Sequence, residues 1–270
     1  MLEIRSISKT FNAGTPNELR ALQNVSLTVE ERSFVVIIGT NGSGKSTLLN
    51  AVAGCFSLDA GAIFLAGKDV TGWPEHRRGR LIGRVFQNPF TGTAANMTIA
   101  ENLALAAHRG KRHGLDWLLS KNLVSQFRDR VRALNMKLDD RLKDPIGSLS
   151  GGQRQALTLL MATWLRPELL LLDEHTAALD PKSADRIITV TEAIVRRDQL
   201  TTMMVTHSMQ QAASLGDRLI MMHRGRIVHD FRGAEKKRLR ADDLLARFEE
   251  VRRAELLDES AAEMLRRAYV

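Results

Sequence analysis

The fold is decided by the stretch Phe34-Val35-Val36-Ile37-Ile38-Gly39-Thr40-Asn41-Gly42-Ser43-Gly44-Lys45-Ser46-Thr47. Its first five residues form an uninterrupted apolar run, as expected of a strand that is buried on both faces. The glycines that follow let successive backbone N–H groups curve around phosphate oxygens, and a helix beginning near Lys45 adds the partial positive charge of its N-terminus. Lys45 can bridge the β- and γ-phosphates, and the Ser46 hydroxyl can bind Mg²⁺. The stretch therefore predicts a nucleoside-triphosphate site.

A second apolar run ends in two adjacent carboxylates. Leu169-Leu170-Leu171-Leu172 is followed directly by Asp173 and Glu174. Where a buried strand meets solvent, one acid can hold a metal ion while the next orients and deprotonates an attacking water. Acidic residues after apolar runs are common, so the pair gains its meaning from the phosphate-binding stretch upstream.

The segment Leu149-Ser150-Gly151-Gly152-Gln153 predicts a second helix that can bind an anion at its start. Ser150 and Gln153 have the spacing of a capping box, and the two glycines leave the first N–H groups of the helix open. One molecule cannot aim two such helix starts at one γ-phosphate if they lie on different lobes, whereas two copies arranged head to tail can.

Composition favours a soluble cytosolic protein. The chain has 270 residues with 44% hydrophobic and 26% charged residues, ordinary values for a globular protein. No apolar run approaches the roughly 18 residues of a membrane span, and the N-terminus lacks the pattern of a secretory signal. Cys55 is the only cysteine, so an internal disulfide or a cysteine-rich zinc site is excluded.

The net charge of +8 comes from scattered basic clusters. One contains Arg77, Arg78, Arg80 and Arg84, and another covers residues 108–113. No aromatic residues interleave with them as a surface for single-stranded nucleic acid would require. Solvated faces are the simplest interpretation, followed by contact with anionic headgroups or a membrane partner; a nucleic-acid partner is not expected.

The remaining pattern indicates β-rich, then helical, then α/β segments. Residues 1–39 are β-rich, short strand signals recur at 62–65 and 81–86, and an amphipathic helix is expected over 115–142. Alternating helix and strand signals follow beyond Gly147, with Asp180-Pro181 capping a helix. A charged helical tail over 236–270 should pack through Leu244, Leu245, Phe248, Leu256 and Leu257.

Taken in order, these motifs resemble those of the nucleotide-binding subunits of ATP-binding cassette (ABC) transporters over residues 2–228. The phosphate loop matches residues 39–47, the signature sequence 149–153 and the second acidic strand 169–174. A glutamine loop matches Gln87, an Ala-Leu-Asp loop residues 178–180, and a switch histidine His207. The resemblance implies a P-loop NTPase of the α/β class: a RecA-like core with an antiparallel β subdomain and an α-helical subdomain.

The resemblance also assigns roles to individual residues. Asp173 organises Mg²⁺, Glu174 acts as general base, and His207 links the γ-phosphate to the water. Gln87 reaches the metal or the water, and Phe11 stacks on adenine where the family often has tyrosine. The nucleotide site implied in this way comprises Phe11, Gly39, Thr40, Asn41, Gly42, Ser43, Gly44, Lys45, Ser46, Thr47, Ser150, Gly151, Gly152, Gln153 and Asp180. The implied catalytic residues are Glu174, His207, Lys45 and Gln87, and the implied metal residues are Ser46, Gln87 and Asp173.

Two positions depart from the common pattern, since His175 and Thr40 stand where many relatives have proline. His175 could tune the pKa of the neighbouring base or merely fill space, and we favour the second interpretation. Lys45 and both carboxylates are retained, so hydrolysis is still expected.

The family resemblance further implies a cassette at 1–235, with its helical subdomain at about 87–148 and the tail at 236–270. ATP and Mg²⁺ are the implied cofactors. The implied partners are a membrane permease, a second copy of the chain and an external solute-binding protein, with the subunit held at the inner face of the cell membrane. Residues 88–107 form the candidate docking groove.

Residues 88–93 and 173–181 are similar to a group of bacterial importers paired with binding proteins of the aromatic amino-acid type. The insertion at 14–18 is instead similar to ATPases of lipoprotein-release or drug-export systems, which remain the alternative. ABC proteins of chromosomes or ribosomes fit less well, because the chain has neither a long heptad block nor a second cassette.

Overall fold

The computed structural model describes residues 1–110, 119–251 and 253. The strands are β1 (Leu2–Phe11), β2 (Leu19–Val29), β3 (Phe34–Gly39), β4 (Ala60–Leu65), β5 (Lys68–Asp69), β6 (Ile82–Val85), β7 (Leu169–Asp173), β8 (Thr202–Val205), β9 (Arg218–His223) and β10 (Arg226–Arg232). The helices are α1 (Lys45–Ala53), α2 (Glu75–Arg78), α3 (Ile99–Ala107), α4 (Lys121–Arg132), α5 (Gly151–Thr163), α6 (Pro181–Asp198), α7 (Met209–Ser214), α8 (Gly233–Arg238) and α9 (241–251).

A six-stranded sheet with the order β10-β9-β3-β8-β7-β6 forms the centre of the fold. The pairs β3–β8, β3–β9, β7–β8 and β6–β7 are parallel, and only β10 joins antiparallel to β9. Strands buried on both faces need apolar side chains throughout, which is why β3 and β7 read as continuous apolar runs. This arrangement confirms the predicted α/β core.

Alternating side chains of the central sheet supply two separate apolar cores. Val35 and Ile37 face the core that contains helix α1, whereas Val36 and Ile38 face the core that contains α5 and α6. Successive side chains of a strand point to opposite faces of a sheet. The helix after the phosphate loop and the helix after the signature segment therefore cover opposite faces.

An antiparallel sheet with the order β2-β1-β4-β5 packs over the face that carries α1. Its inward residues, including Leu2, Ile4 and Val25, are fully buried with Leu48 of α1. The sheet confirms the predicted antiparallel β segment, which the structure builds from β1, β2, β4 and β5.

The helical segment begins with the capping box predicted at Thr98 and Glu101. The Thr98 hydroxyl accepts from the Glu101 N–H at 3.2 Å, and the Glu101 carboxylate accepts from the Thr98 N–H at 2.7 Å. Below this cap, the buried Asn102 side chain binds three backbone carbonyls and one N–H, which fixes the chain ahead of the helix.

The single long helix expected over 115–142 is wrong. Helix α4 begins after the Ser120 cap and ends at Arg132, and residues 115–118 of the expected helix lie outside the described residues. Asn135 and Lys137 both have positive φ angles, 55° and 54°, which a helix does not tolerate. The amphipathic pattern persists beyond Arg132 because Leu134, Leu138 and Leu142 are buried from turns rather than from a helix.

Only some of the five apolar residues predicted to pack the tail against the core do so. In helix α9, Leu244 is fully buried and Phe248 is partly buried against the core shared by α5 and α6. The prediction for Leu245 is wrong, because that side chain is 48% exposed on the outer face of the helix. Leu256 and Leu257 lie outside the described residues.

Among the described residues, no helix is both long and apolar enough to cross a bilayer.

Leu244→Ala should release α9 from the core, because truncating a buried leucine costs about 2–5 kcal/mol. Amide hydrogen exchange over 241–251 should then become markedly faster. The matched control is Leu245→Ala on the exposed face of the same helix, which should leave exchange unchanged. Equal behaviour of the two variants would contradict the packing of α9 through Leu244.

Candidate functional site

The phosphate loop requires glycine at two positions for steric reasons. A Cβ on Gly39 would lie 2.4 Å from the Met222 carbonyl oxygen. A Cβ on Gly44 would lie 2.4 Å from the Ala21 carbonyl oxygen, and Gly44 also has a φ of 96°. The loop is thus held tightly between β2 and β9, so that its backbone has one shape before any ligand enters.

Two polar groups of the loop, the Ser43 hydroxyl and the Lys45 ammonium, are suited to bind an anion. The Ser43 hydroxyl oxygen is buried and has no hydrogen-bond partner among the described residues. Lys45 Nζ donates to the carbonyl oxygens of Gly39 at 2.9 Å and of Thr40 at 3.0 Å. A phosphate would give the lysine a charged acceptor in place of these neutral ones, so that both partners of the hydrogen bond would be ionised.

Burial lowers the pKa of the Lys45 ammonium, and the attraction of Glu174 and Asp173 opposes that shift. Burial thus takes water away from the ammonium, and the two carboxylates partly compensate for that loss. Such a group gains from a phosphate, which adds negative charge without bringing water back.

Asp173 ends strand β7 beside the start of helix α1. The Ser46 hydroxyl donates to Asp173 Oδ1 at 3.3 Å. A hydroxyl and a carboxylate oxygen are suited to Mg²⁺, which keeps several water and phosphate ligands of its own. The described residues contain no cluster of three or more acidic, histidine or cysteine ligands.

Glu174 and His207 meet directly at the ends of adjacent strands. Strands β7 and β8 are parallel neighbours in which Asp173 pairs with Val205, so the residues that follow each strand come together. His207 Nε2 lies 2.5 Å from Glu174 Oε1. Glu174 has a φ of 47°, which is uncommon for a residue with a side chain, and its N–H donates to the Val205 carbonyl oxygen at 3.0 Å.

In this geometry His207 is much more exposed to solvent than Glu174. The Glu174 side chain is 11% exposed, whereas the His207 side chain is 45% exposed. A cavity of about 700 Å³ adjoins the pair and is lined by residues 39–43 of the phosphate loop together with His207. Phe248 of the tail helix also lines it, although no local sequence pattern predicts that position.

Gln87 lies two residues after β6, and Phe11 is the last residue of β1. Gln87 is exposed just after β6, and no hydrogen bond joins it to Asp173 or Glu174. Phe11 ends β1 and packs edge-to-face against Phe56 with ring centroids 5.3 Å apart. The Lys9 ammonium lies 5.6 Å from the Phe11 ring centroid. Neither Gln87 nor Phe11 lines the cavity beside the phosphate loop.

The signature segment forms the predicted capping box. Ser150 Oγ accepts from the Gln153 N–H at 3.3 Å, and Gln153 Oε1 accepts from the Ser150 N–H at 3.3 Å. A Cβ on Gly151 would lie 3.3 Å from Leu179, and a Cβ on Gly152 would lie 3.1 Å from Ser183.

Asp180 closes the neighbouring helix start. Its carboxylate accepts from the Ser183 N–H at 3.0 Å and so caps α6, as predicted. Because α5 and α6 lie across the central sheet from α1, the structure does not bring the signature segment or Asp180 to the phosphate loop of the same chain.

The model of a protein family described as ABC transporter matches residues 22–177. The chain belongs to this family. It is 42% identical to the "Tyrosine transport ATP-binding protein" of Clostridioides difficile over 251 residues, which are 92% of this chain and 99% of that protein. It is 33% identical to the "Methionine import ATP-binding protein MetN" of Corynebacterium efficiens over 232 residues, which are 84% of this chain and 61% of that protein.

Solved ABC cassettes have the same fold. The dimeric post-hydrolysis state of the cassette MJ0796 bound to ADP and phosphate superposes with a TM-score of 0.74 at 25% identity, covering 86% of this chain and 98% of that one. The ADP conformation of the cassette MJ1267 gives 0.74 at 27% identity, covering 92% and 97%. The predicted fold is thus confirmed, and the protein is an ATP-binding ABC transporter subunit with ATPase activity.

His175 of this ABC ATPase is buried in the core and contacts helix α6. It is 1% exposed, and its Nε2 lies 3.1 Å from Thr191 Oγ1. The Thr191 hydroxyl donates its hydrogen bond to the Ile187 carbonyl oxygen, so it accepts the hydrogen bond that the His175 Nε2–H donates. Burial lowers the pKa of His175 to about 4. The side chain is neutral and fills space in the core, in agreement with the simpler of the two interpretations of this position.

Phe11→Ala should weaken ATP binding by about 1–3 kcal/mol if the ring stacks on the base. Binding is measured by calorimetry with ATP and, separately, with inorganic triphosphate, which has no base. Triphosphate affinity should be unchanged, because it engages only the phosphate loop. An unchanged ATP affinity would place Phe11 in a structural aromatic pair with Phe56 and outside the nucleotide site.

Proposed function

We propose that this protein hydrolyses ATP as a head-to-tail dimer and thereby drives solute import through a separate permease. The observation that carries the hydrolytic part is the contact of His207 with Glu174 beside the phosphate loop, at a distance of 2.5 Å. Glu174 also interacts electrostatically with Lys45, the group suited to the terminal phosphates, and this supports Glu174 as the base with His207 as its orienting partner.

In this mechanism Glu174 takes a proton from the attacking water. The water oxygen bonds to the γ-phosphorus while the bond from that phosphorus to the bridging oxygen breaks, and ADP leaves with the electron pair. His207 holds the carboxylate through Nε2 and can donate to a γ-phosphate oxygen after the water has entered. Lys45 stabilises the charge on the phosphate oxygens.

The donor set of Ser46 and Asp173 fits Mg²⁺, and Gln87 is proposed to approach it after closure. The bound ion would neutralise phosphate charge and polarise the phosphoryl group. The protein's own contribution is to hold Asp173 Oδ1 next to the Ser46 hydroxyl.

The packing of helices on both faces of the central sheet favours a site that a second copy of the chain completes. Ser150, Gly151, Gly152 and Gln153 cannot reach the phosphate loop of their own chain, because α1 and α5 cover opposite faces. In a head-to-tail dimer, each signature helix start faces the γ-phosphate on the partner's loop, and Asp180 lies next to it. The solved relative MJ0796 is dimeric with ADP and phosphate, which supports this arrangement.

The permease is proposed to dock on residues 88–107. Two apolar side chains of this segment are conspicuously open, with Phe90 63% exposed and Leu105 50% exposed. The segment follows Gln87 directly in the chain, so docking of the permease would be transmitted through Gln87 to the nucleotide site. In this proposal residues 1–235 form the cassette, 87–148 its helical subdomain and 236–270 the tail, and the subunit sits at the inner face of the cell membrane.

Import of an amino-acid-like solute is the direction that we favour. Two relatives carry the names of a tyrosine transport and a methionine import ATP-binding protein, and the first of them matches nearly the full length of both chains. An external solute-binding protein of the aromatic amino-acid type belongs to this proposal. The insertion at 14–18, which motivated the export alternative, is a local turn closed by the Glu18 carboxylate on the Gly14 N–H.

Glu174→Gln should abolish steady-state ATP hydrolysis, because the amide cannot accept the proton of water, while ATP binding persists. The variant should accumulate as an ATP-bound dimer, measured by light scattering after size exclusion. His175→Gln is the control, since its side chain faces the core, and it should retain turnover. Sustained hydrolysis by Glu174→Gln would remove Glu174 as the base.

A further inference from the structure

Arg84 occupies a position that the proposed mechanism does not use. It lies on strand β6, directly beside the acidic strand β7, and pairs across the sheet with Leu171. Its Nη2 lies 3.6 Å from Asp173 Oδ2, and both side chains are only 14% exposed. The candidate metal carboxylate therefore has a partly buried cation on one side and Ser46 on the other.

The guanidinium of Arg84 is anchored independently of Asp173. Its Nη2 donates to Asn50 Oδ1 at 2.5 Å, and its Nη1 lies 3.2 Å from Cys55 Sγ. The Phe86 ring covers it with the centroid 4.5 Å away. Three neutral neighbours, Asn50 in α1, Cys55 just after α1 and Phe86 just after β6, therefore hold the guanidinium independently of Asp173.

Arg84 interacts with Asp173 through its charge and not through a directional hydrogen bond. At 3.6 Å it is longer than a hydrogen bond, so Arg84 does not lock the orientation of the carboxylate. Arg84 has no ion pair to any other carboxylate in the described part of the chain, and its Nε is buried without a partner there. Its charge is thus directed at the Asp173 site, where burial limits screening by salt.

We propose that Arg84 is a fixed counter-ion of Asp173 that limits how tightly the site holds a divalent cation. Asp173 divides its two oxygens, with Oδ1 towards Ser46 and Oδ2 towards Arg84. A cation that binds on the Oδ1 side meets a carboxylate whose charge is already partly balanced, and it is repelled by the guanidinium. The proposal rests on the metal role of Asp173 given above.

The consequence for an ABC ATPase concerns product release. After hydrolysis, ADP and the metal ion must leave before the next cycle. A fixed positive charge beside the metal carboxylate weakens the retention of the pair without competing for the phosphate loop. Arg84 would then set the metal affinity of the product state rather than the chemistry at Glu174.

If Arg84 instead held the Asp173 carboxylate in position, removing it would change the metal affinity in the opposite direction. Partners that hold a metal-binding carboxylate in place usually raise metal affinity, and their loss weakens it by about 10- to 100-fold. A counter-ion lowers the affinity, so that its removal strengthens metal binding. The direction of the change therefore distinguishes charge balance from support of the carboxylate.

The test is Mn²⁺ binding to the ADP-saturated full-length protein, followed by the loss of the EPR signal of free Mn²⁺. Arg84→Met should tighten Mn²⁺ binding by roughly 3- to 10-fold, as expected for the removal of one nearby charge. Arg84→Lys, which keeps the charge, should bind Mn²⁺ like the parent protein. Arg80→Met removes an exposed charge four residues away and should also leave the affinity unchanged.

Unchanged or weaker Mn²⁺ binding in Arg84→Met would overturn the proposal. If that variant does not fold, Arg84→Gln carries the same prediction, because glutamine is neutral and can still donate to Asn50. Asp173→Asn separates the two claims: it should weaken Mn²⁺ binding strongly. If it does not, the metal role of Asp173 fails; if it does while Arg84→Met and Arg84→Gln match the parent, only the counter-ion proposal fails.

Discussion

The covering of the central sheet on both faces is the constraint on which the rest of this structure depends. Side chains of a strand alternate, so Val35 and Ile37 pack under α1 while Val36 and Ile38 pack under α5 and α6. The helix starts at Lys45 and Gly151 are thereby kept on opposite faces of the central sheet in one molecule. The proposed head-to-tail dimer would bring the second helix start of one copy to the phosphate loop of the other.

The same sheet concentrates the chemistry along its carboxyl edge. Ends of neighbouring parallel strands meet there, which brings Asp173, Glu174 and His207 together without any long loop. Strand β6 adds Arg84 to this edge from the other side. The edge thus holds two carboxylates, a histidine and a guanidinium close together.

Much of this could be predicted from the sequence, because the signals were local. Residues 34–47 identify strand, loop and helix, and the capping boxes at Thr98 and Ser150 rest on contacts only three residues apart. The failures concern tertiary contacts. The end of α4 at Arg132 depends on two positive φ angles that amphipathic spacing does not show, and the exposure of Leu245 depends on which face of α9 meets the core.

Other features could not have been found from local patterns at all. The neutral, buried state of His175 follows from its contact with Thr191, and the approach of Phe248 to the phosphate loop follows from how α9 packs. Arg84 was counted among solvated charges in a basic cluster, yet the register of β6 against β7 places it beside Asp173. Each depends on which element lies next to which, information that a linear pattern does not contain.

The most direct measurement is disulfide cross-linking between the phosphate loop and the signature segment. Asn41→Cys and Ser148→Cys, both exposed positions, are combined in one chain on a Cys55→Ser, Glu174→Gln background and oxidised with and without ATP. The account predicts covalent dimers that form only with ATP. A cross-link within one chain, or dimers formed equally without nucleotide, would contradict a site shared between two copies.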